Sequence, residues 1–375
     1  MKAQMYNIVG RVANDRLGTW ASLDLYKYEE AGIVDADIVL TEPGWSPYCL
    51  NSERNTMAFI QVPIDIDLSQ APFVVFTQFK QAKRMLLIGL DAVNYLAADL
   101  PEPDNLLMIF MIGRSGSTLL NQILSRIEGV GSYSEPEVFK HLTLVAQYDP
   151  VSAEGWRNVI QSTVRIWQYI NRHNHTLGLK FARLANDILP QYYDAFPDAK
   201  YIFSYRQGLS WAQSNYDHLQ RTYPELEVYP RIVPASLLRV VWRDLMSNNT
   251  ATIDTLCADT DEAYIEDFYA AGWQYFMERY EQALLGGIPG IGIEFEELVN
   301  ERETTIDQLI YYCNLPENAR TQALSGFDRH SQAGTYYAPR KKRRMSDTQV
   351  ERFLQRLRPH PRFNTPNAKL SNGRA

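Results

Sequence analysis

Six consecutive residues, Gly113-Arg114-Ser115-Gly116-Ser117-Thr118, combine two residues without side chains, three hydroxyls and one fixed positive charge. That is the chemistry of an anion cradle. Glycines let the backbone pass close to an oxyanion, hydroxyls donate to it, and a guanidinium binds it in two places at once. The loop is not a Walker A sequence, because Ser117 stands where the lysine after the second glycine would be. An ordinary strand-to-helix turn with a surface arginine is the plain alternative.

Further cationic groups recur at similar places. Arg206 ends the apolar stretch 199–205 and is followed, eight residues on, by Ser214. An arginine at a strand end with a serine from the next helix can hold a second phosphate, although a salt-bridged surface arginine has the same look. Lys180 ends the stretch 177–180. Two carboxylates, Glu135 and Glu137, follow the cradle. Glu135 precedes Pro136, which biases its backbone toward the extended region and would let it reach in as a general base. Glu137 reads as a solvated loop residue.

These side chains need a scaffold that brings strand ends together. Residues 106–112 are a continuous apolar run of strand length, and 119–124 are apolar at helical spacing. Strand, small-residue turn and helix in that order place free N–H groups against an anion. Further strands are expected at 177–181, 201–205 and 290–295, with helices at 151–172, 235–248 and 261–285. Their alternation is the mark of a parallel sheet with crossover helices. In such a sheet ligands bind beyond the carboxyl ends of the strands. Arg114, Lys180 and Arg206 would then share one edge and suit an elongated anion with more than one phosphate.

Residues 1–100 have another texture. Short apolar or alternating stretches at 33–40, 57–66 and 73–76 read as strands with one or two short helices, ending in a helix near 88–100. The segment 101–105, with two prolines, breaks the chain before the cradle strand. The chain therefore reads as an N-terminal extension or cap (1–100) and an α/β domain (101–375), with a polar, loose tail after Pro359.

Composition narrows the class. The formal net charge of −7 gives no general attraction to nucleic acid. Three well-separated cysteines make no disulfide framework and suit a reducing cytosol. The first sixteen residues carry Arg11, Asp15 and Arg16 where a signal peptide needs an apolar core. No stretch reaches the roughly 18 apolar residues of a membrane span. A cytoplasmic protein is the expectation. His173 and His175 lack partners at ligand spacing and read as surface residues, not metal ligands.

With these features in order, the chain resembles the PAPS-dependent sulfotransferases. Their loop reads roughly P-[RK]-S-G-T-T before a helix, and residues 113–118 are similar to it. Their second signature, a strand ending in arginine with a serine eight residues later, is matched by Arg206 and Ser214. The protein-tyrosine sulfotransferase branch has a glutamate soon after the loop and a lysine at a strand end, matched by Glu135 and Lys180. Residues 292–299 and 313–316 resemble a later strand, its acidic helix and that helix's end.

Departures exist: Gly113 replaces the usual proline, Met111 a common glycine, and Gln207-Gly208 the usual pair after the arginine. Ala182 stands where the cytosolic branch has a catalytic histidine, which favours Glu135 as base. The resemblance covers roughly residues 105–345.

The resemblance implies a P-loop-type three-layer α/β fold, with a central parallel sheet flanked by helices. It implies sulfuryl transfer from 3′-phosphoadenosine 5′-phosphosulfate (PAPS) to a hydroxyl or amine, releasing 3′,5′-ADP without a metal. Glu135 and Lys180 would be catalytic. Arg114, Ser115, Gly116, Ser117, Thr118, Arg206 and Ser214 would hold the nucleotide. In the basic run 340–344, Arg340 and Lys341 resemble the family's late nucleotide-closing loop, though a solvated charge run looks the same. The acceptor and the oligomeric state are not readable. A P-loop kinase or NTPase with an atypical loop, or an inactive nucleotide-binding module, are the alternatives.

Overall fold

In the computed structural model the described residues are 1–12, 21–51, 55–148, 153–222, 226, 231–258, 260–316, 318–333 and 343–371. The front of the chain forms one antiparallel sheet: β1 (Lys2–Arg11), β2 (Tyr26–Asp35), β3 (Trp45–Asn51), β4 (Thr56–Gln61) and β5 (Arg84–Gly89), in the order β2-β1-β5-β4-β3. β3 and β4 are almost wholly buried, whereas β2 is an exposed edge.

Two sequence expectations need correction here. The stretch 33–40 is not one strand: β2 ends at Asp35 and a short helix occupies Ile38–Thr41. The run 73–76 enters the helix Val74–Gln81, where Val74, Val75 and Gln78 share a buried face. Four adjacent apolar residues cannot distinguish the two periods. The helix expected near 88–100 spans Leu90–Ala98.

The second sheet is parallel throughout. Its strands are β6 (Asn105–Met111), β7 (Val130–Ser134), β8 (Thr176–Lys180) and β9 (Lys200–Tyr205), then, after a small antiparallel pair β10 (Ile232–Pro234) and β11 (Glu262–Tyr264), β12 (Gly290–Glu294). The order is β12-β9-β6-β8-β7. β6 lies in the middle, covered on both faces, which is why it reads as an unbroken apolar run. Leu106, Met108 and Phe110 face one apolar core, and Leu107 and Ile109 the other. The helices Ala153–Ile170 and Ile265–Leu285 supply the first core. Ser117–Leu124, Phe295–Asn300 and Arg302–Tyr312 supply the second. The result is a three-layer α/β fold with a central parallel sheet. The first core also takes residues from the front sheet, among them Met5, Phe59 and Leu86.

Register puts the strand ends level. Ile109 is opposite Lys180, Lys180 opposite Ser134, Met111 opposite Ser204, and Tyr205 opposite Glu294. The expected helix 261–285 starts only at Ile265, because Glu262–Tyr264 pairs with β10. The tail is not loose. Phe363 and Leu370 are buried, Lys369 bridges to Glu294 at 3.6 Å, and the Pro366 carbonyl accepts from Gly208 N–H at 2.7 Å. Its two apolar anchors hold it against the body despite its polar composition. No described helix is long and apolar enough to cross a membrane.

Candidate active site

The cradle is built by backbone conformations that ordinary residues avoid. Gly113, Arg114 and Gly116 have φ of 67°, 54° and 79°. At Gly113 a Cβ would lie 2.0 Å from the Arg183 guanidinium, and at Gly116 it would lie 2.1 Å from the Phe295 ring. Glycine is therefore required twice, once by conformation and once by contact. It also explains the departure at Gly113, since proline is locked near −65° and cannot adopt this turn.

Gly116 caps the helix Ser117–Leu124, whose backbone hydrogen bonding begins with Leu119 N–H to the Gly116 carbonyl at 2.8 Å. The N–H groups before that point have no acceptor in the helix. The Ser115 hydroxyl is tied to that of Ser204 on β9 at 3.1 Å, and Ser117 donates to the Met111 sulfur at 3.0 Å. These two hydroxyls fix the loop to the sheet.

Lys180 occupies the mouth beside the cradle with no solvent exposure. Its ammonium donates to Glu135 Oε1 at 2.5 Å, Ser134 Oγ at 3.1 Å and Thr118 Oγ1 at 3.4 Å, and lies 5.2 Å from the centre of the Phe73 ring. Burial of a full charge requires such a set of acceptors. Glu135 is one-fifth exposed. Its N–H donates to the Lys180 carbonyl at 2.8 Å, and its φ is 52°.

The expectation of an extended Glu135 is thus wrong: hydrogen bonding across the end of β7 and β8 overrides the bias imposed by Pro136. A non-glycine residue there costs about 1–2 kcal/mol, and such strain clusters at functional sites. Glu135 Oε2 makes no hydrogen bond among the described residues. Glu137 is not solvated either. It is buried in the first turn of the helix Glu137–Tyr148 and accepts from Lys140 at 2.8 Å.

Arg206 leaves the end of β9 with its guanidinium stacked 4.3 Å from the Phe295 ring centre. It donates to Ser210 Oγ at 2.7 Å, to Glu296 at 3.3 Å and to the Arg114 carbonyl at 3.2 Å. Burial lowers its pKa, against the pull of Glu296. Ser214 is bonded not to Arg206 but to Arg114, whose Nε donates to it at 3.2 Å. Arg114 therefore links the loop 113–118 to both Ser214 and Arg206.

Two residues of this region escaped sequence reasoning. Arg183 is buried against Gly113 and donates to Asn215 at 3.4 Å. The pKa of His218 falls to about 3, first through burial and then through the charges of Arg114, Arg183 and Arg221. Burial is the larger cause, and the three guanidinium groups add to it. The available signal was weak: Arg183 lies three residues beyond Lys180, on the same strand-end segment.

Arg340 and Lys341 lie outside the described residues. Arg343 is described, and its N–H donates to Asp217 at 2.8 Å while its carbonyl accepts from Gln213 at 2.9 Å. Both partners belong to the helix Gly208–Thr222, which also carries Ser214. His173 and His175 are exposed.

No protein-family model matches the chain, and no curated protein does. Solved structures that it resembles include sulfotransferases. The enzyme from Alicyclobacillus acidocaldarius is 16% identical with a TM-score of 0.41, over 69% of this chain and 93% of that one. The mouse sulfotransferase SULT7A1, crystallised with PAP, is 13% identical with a TM-score of 0.39, over 72% and 88%. STF9 of Mycobacterium avium is 11% identical with a TM-score of 0.38, over 74% and 80%. These are distant likenesses, and they say nothing about which residue does what.

Proposed function

We propose that this chain is a PAPS-dependent sulfotransferase acting on a hydroxyl or amine acceptor. The observation that carries the reading is the fully buried Lys180 ammonium, 2.5 Å from the Glu135 carboxylate at the mouth of a glycine-built anion cradle. The residues suit the donor. Gly113 and Gly116 let the loop turn closely against Arg183 and Phe295, and Arg114, Arg183 and Arg221 add to the lowering of His218 that burial causes.

Arg114 and the N–H groups of Ser115, Gly116, Ser117 and Thr118 would hold the 5′-phosphosulfate. Arg206 and Ser214 would hold the 3′-phosphate. The donor supplies the sulfuryl group. Glu135 takes the proton of the acceptor as its oxygen or nitrogen bonds to sulfur. Lys180 neutralises the electron pair left on the departing bridging oxygen. Positioning and electrostatic stabilisation are what such a transfer needs most, and the side-chain cations here supply that charge without calling on a metal.

The test is differential ligand stabilisation. A ligand at 100 times its Kd stabilises by about 2.7 kcal/mol. At equal concentration 3′,5′-ADP should raise Tm clearly and AMP much less. Equal shifts would remove the 3′-phosphate assignment. A purified chain that shifts only with ATP and Mg²⁺ would replace the reading with a kinase.

A further inference from the structure

A second cavity opens one helical turn beyond the cradle. It lies between the front segment carrying Ser69 and Gln70, the outer face of the helix Ser117–Leu124, and the segment carrying Arg329 and His330. Its volume is about 130 Å³. One water needs about 10–15 Å³ on this measure, so it admits one small ring and not a long chain. Gln70 fixes its wall by donating to the Ser125 carbonyl at 3.0 Å.

Thr118 is shared by this cavity and the catalytic pair. It lines the cavity, and its hydroxyl accepts from Lys180, which in turn donates to Glu135. Nothing in the mechanism above uses the cavity's charge. Arg126, Arg329 and His330 line it, and among the described residues neither arginine has a carboxylate partner. The His330 ring is oriented by Gln332 N–H, which donates to Nδ1 at 3.2 Å. None of the described lining residues is acidic.

We infer that this cavity is the acceptor pocket, and that it takes a small hydroxyl-bearing anion of the acidic-sugar or hydroxy-acid type. Unpaired guanidinium groups recognise a carboxylate through two parallel hydrogen bonds. A lining of hydroxyls and amides suits a polyol. The assignment rests on the sulfotransferase reading, since it takes Thr118 as the border between donor and acceptor.

A matched pair of probes tests it: methyl β-D-glucuronide and methyl β-D-glucoside, single rings that differ by a carboxylate in place of a hydroxymethyl group. Binding of each to the full chain in saturating 3′,5′-ADP is followed by isothermal titration calorimetry. The glucuronide should bind at least tenfold more tightly than the glucoside. The double substitution Arg126→Gln/Arg329→Gln should abolish that preference and leave 3′,5′-ADP affinity unchanged. Equal binding of the two probes, binding of neither, or a preference that survives the double substitution would overturn the inference. A preference that is present and arginine-dependent in a chain that does not bind 3′,5′-ADP would support the pocket and defeat only the donor reading.

Discussion

The pair Lys180 and Glu135 should respond asymmetrically to loss of either member. Lys180 is fully buried, whereas Glu135 keeps one-fifth of its side chain exposed. Glu135→Gln leaves the ammonium dry among neutral acceptors: the Ser134 and Thr118 hydroxyls and the new amide oxygen. Breaking a buried pair in this way costs about 3–5 kcal/mol, and the surviving acceptors place the cost near the lower end, about 3 kcal/mol. The strained φ of 52° is common to both residues, so the substitution isolates charge.

Lys180→Met instead removes the buried charge and leaves a carboxylate that water can reach, costing about 1–2 kcal/mol. The double variant should therefore be more stable than Glu135→Gln alone. Urea denaturation of the four proteins measures the cycle. Activity reads independently: about 10²–10⁴-fold lost for Glu135→Gln as base, and about 10²–10³-fold for Lys180→Met as charge stabiliser. If Glu135→Gln is as stable as the parent while Lys180→Met unfolds, the lysine is not held by Glu135. If both single variants turn over normally, the chemistry lies elsewhere.

Two further outcomes follow from the cradle. His218 has a pKa of about 3 when folded, well below the roughly 6.5 of an unfolded histidine. The unfolded chain therefore takes up the proton first. The stability that neutral His218 contributes is complete above pH 6.5 and declines by about 1.4 kcal/mol per pH unit as pH falls toward 3. His218→Gln should flatten that limb in urea titrations, and parallel curves for the two proteins would refute the assignment. Gly116→Ala should cost about 1–2 kcal/mol in backbone strain alone, with a further cost as the Phe295 ring is displaced. Affinity for 3′,5′-ADP, measured by calorimetry, should fall with it, and unchanged affinity would show that this turn does not touch the anion.

The parts of the site legible in the sequence were those fixed by local chemistry. β6 announces itself because a central parallel strand is apolar on both faces, and the glycine-serine turn after it has few other uses. Lys180 and Arg206 were found because each ends an apolar run. What stayed hidden depends on contacts between distant segments. β7 is five residues containing glycine and two serines, and it reads as a turn until β8 pairs with it. That pairing sets the backbone of Glu135, which Pro136 alone would have extended. Ser214 lies eight residues after Arg206, yet a hydrogen bond reaching one hundred residues back gives it to Arg114. Arg183 shows its role only where its guanidinium fills the space that a side chain on Gly113 would occupy. The tail misled because a count of polar residues does not see that Phe363 and Leu370 are spaced to anchor it.

The front hundred residues, which carry no motif, bear on the chemistry through the dryness of one ammonium. Phe73 covers Lys180 at 5.2 Å, and Gln70 pins the same segment to the cradle helix. From β3, the Leu50 carbonyl meets His141 Nδ1 at 3.3 Å, six residues past Glu135. Burial, and then the charge of Glu137, push the neighbouring Cys49 thiol up to about 12, so the acidic segment after Glu135 is sensed from within the front sheet. A charge screened from water by such a cover acts at far lower effective dielectric than one facing solvent. On the proposed reading, the value of Lys180 in stabilising a developing negative charge would therefore depend on residues outside the cradle loop. The segment that carries Gln70 and Phe73 joins β4 to β5, so the front sheet, which shares an apolar core with the parallel one, fixes the cover over Lys180.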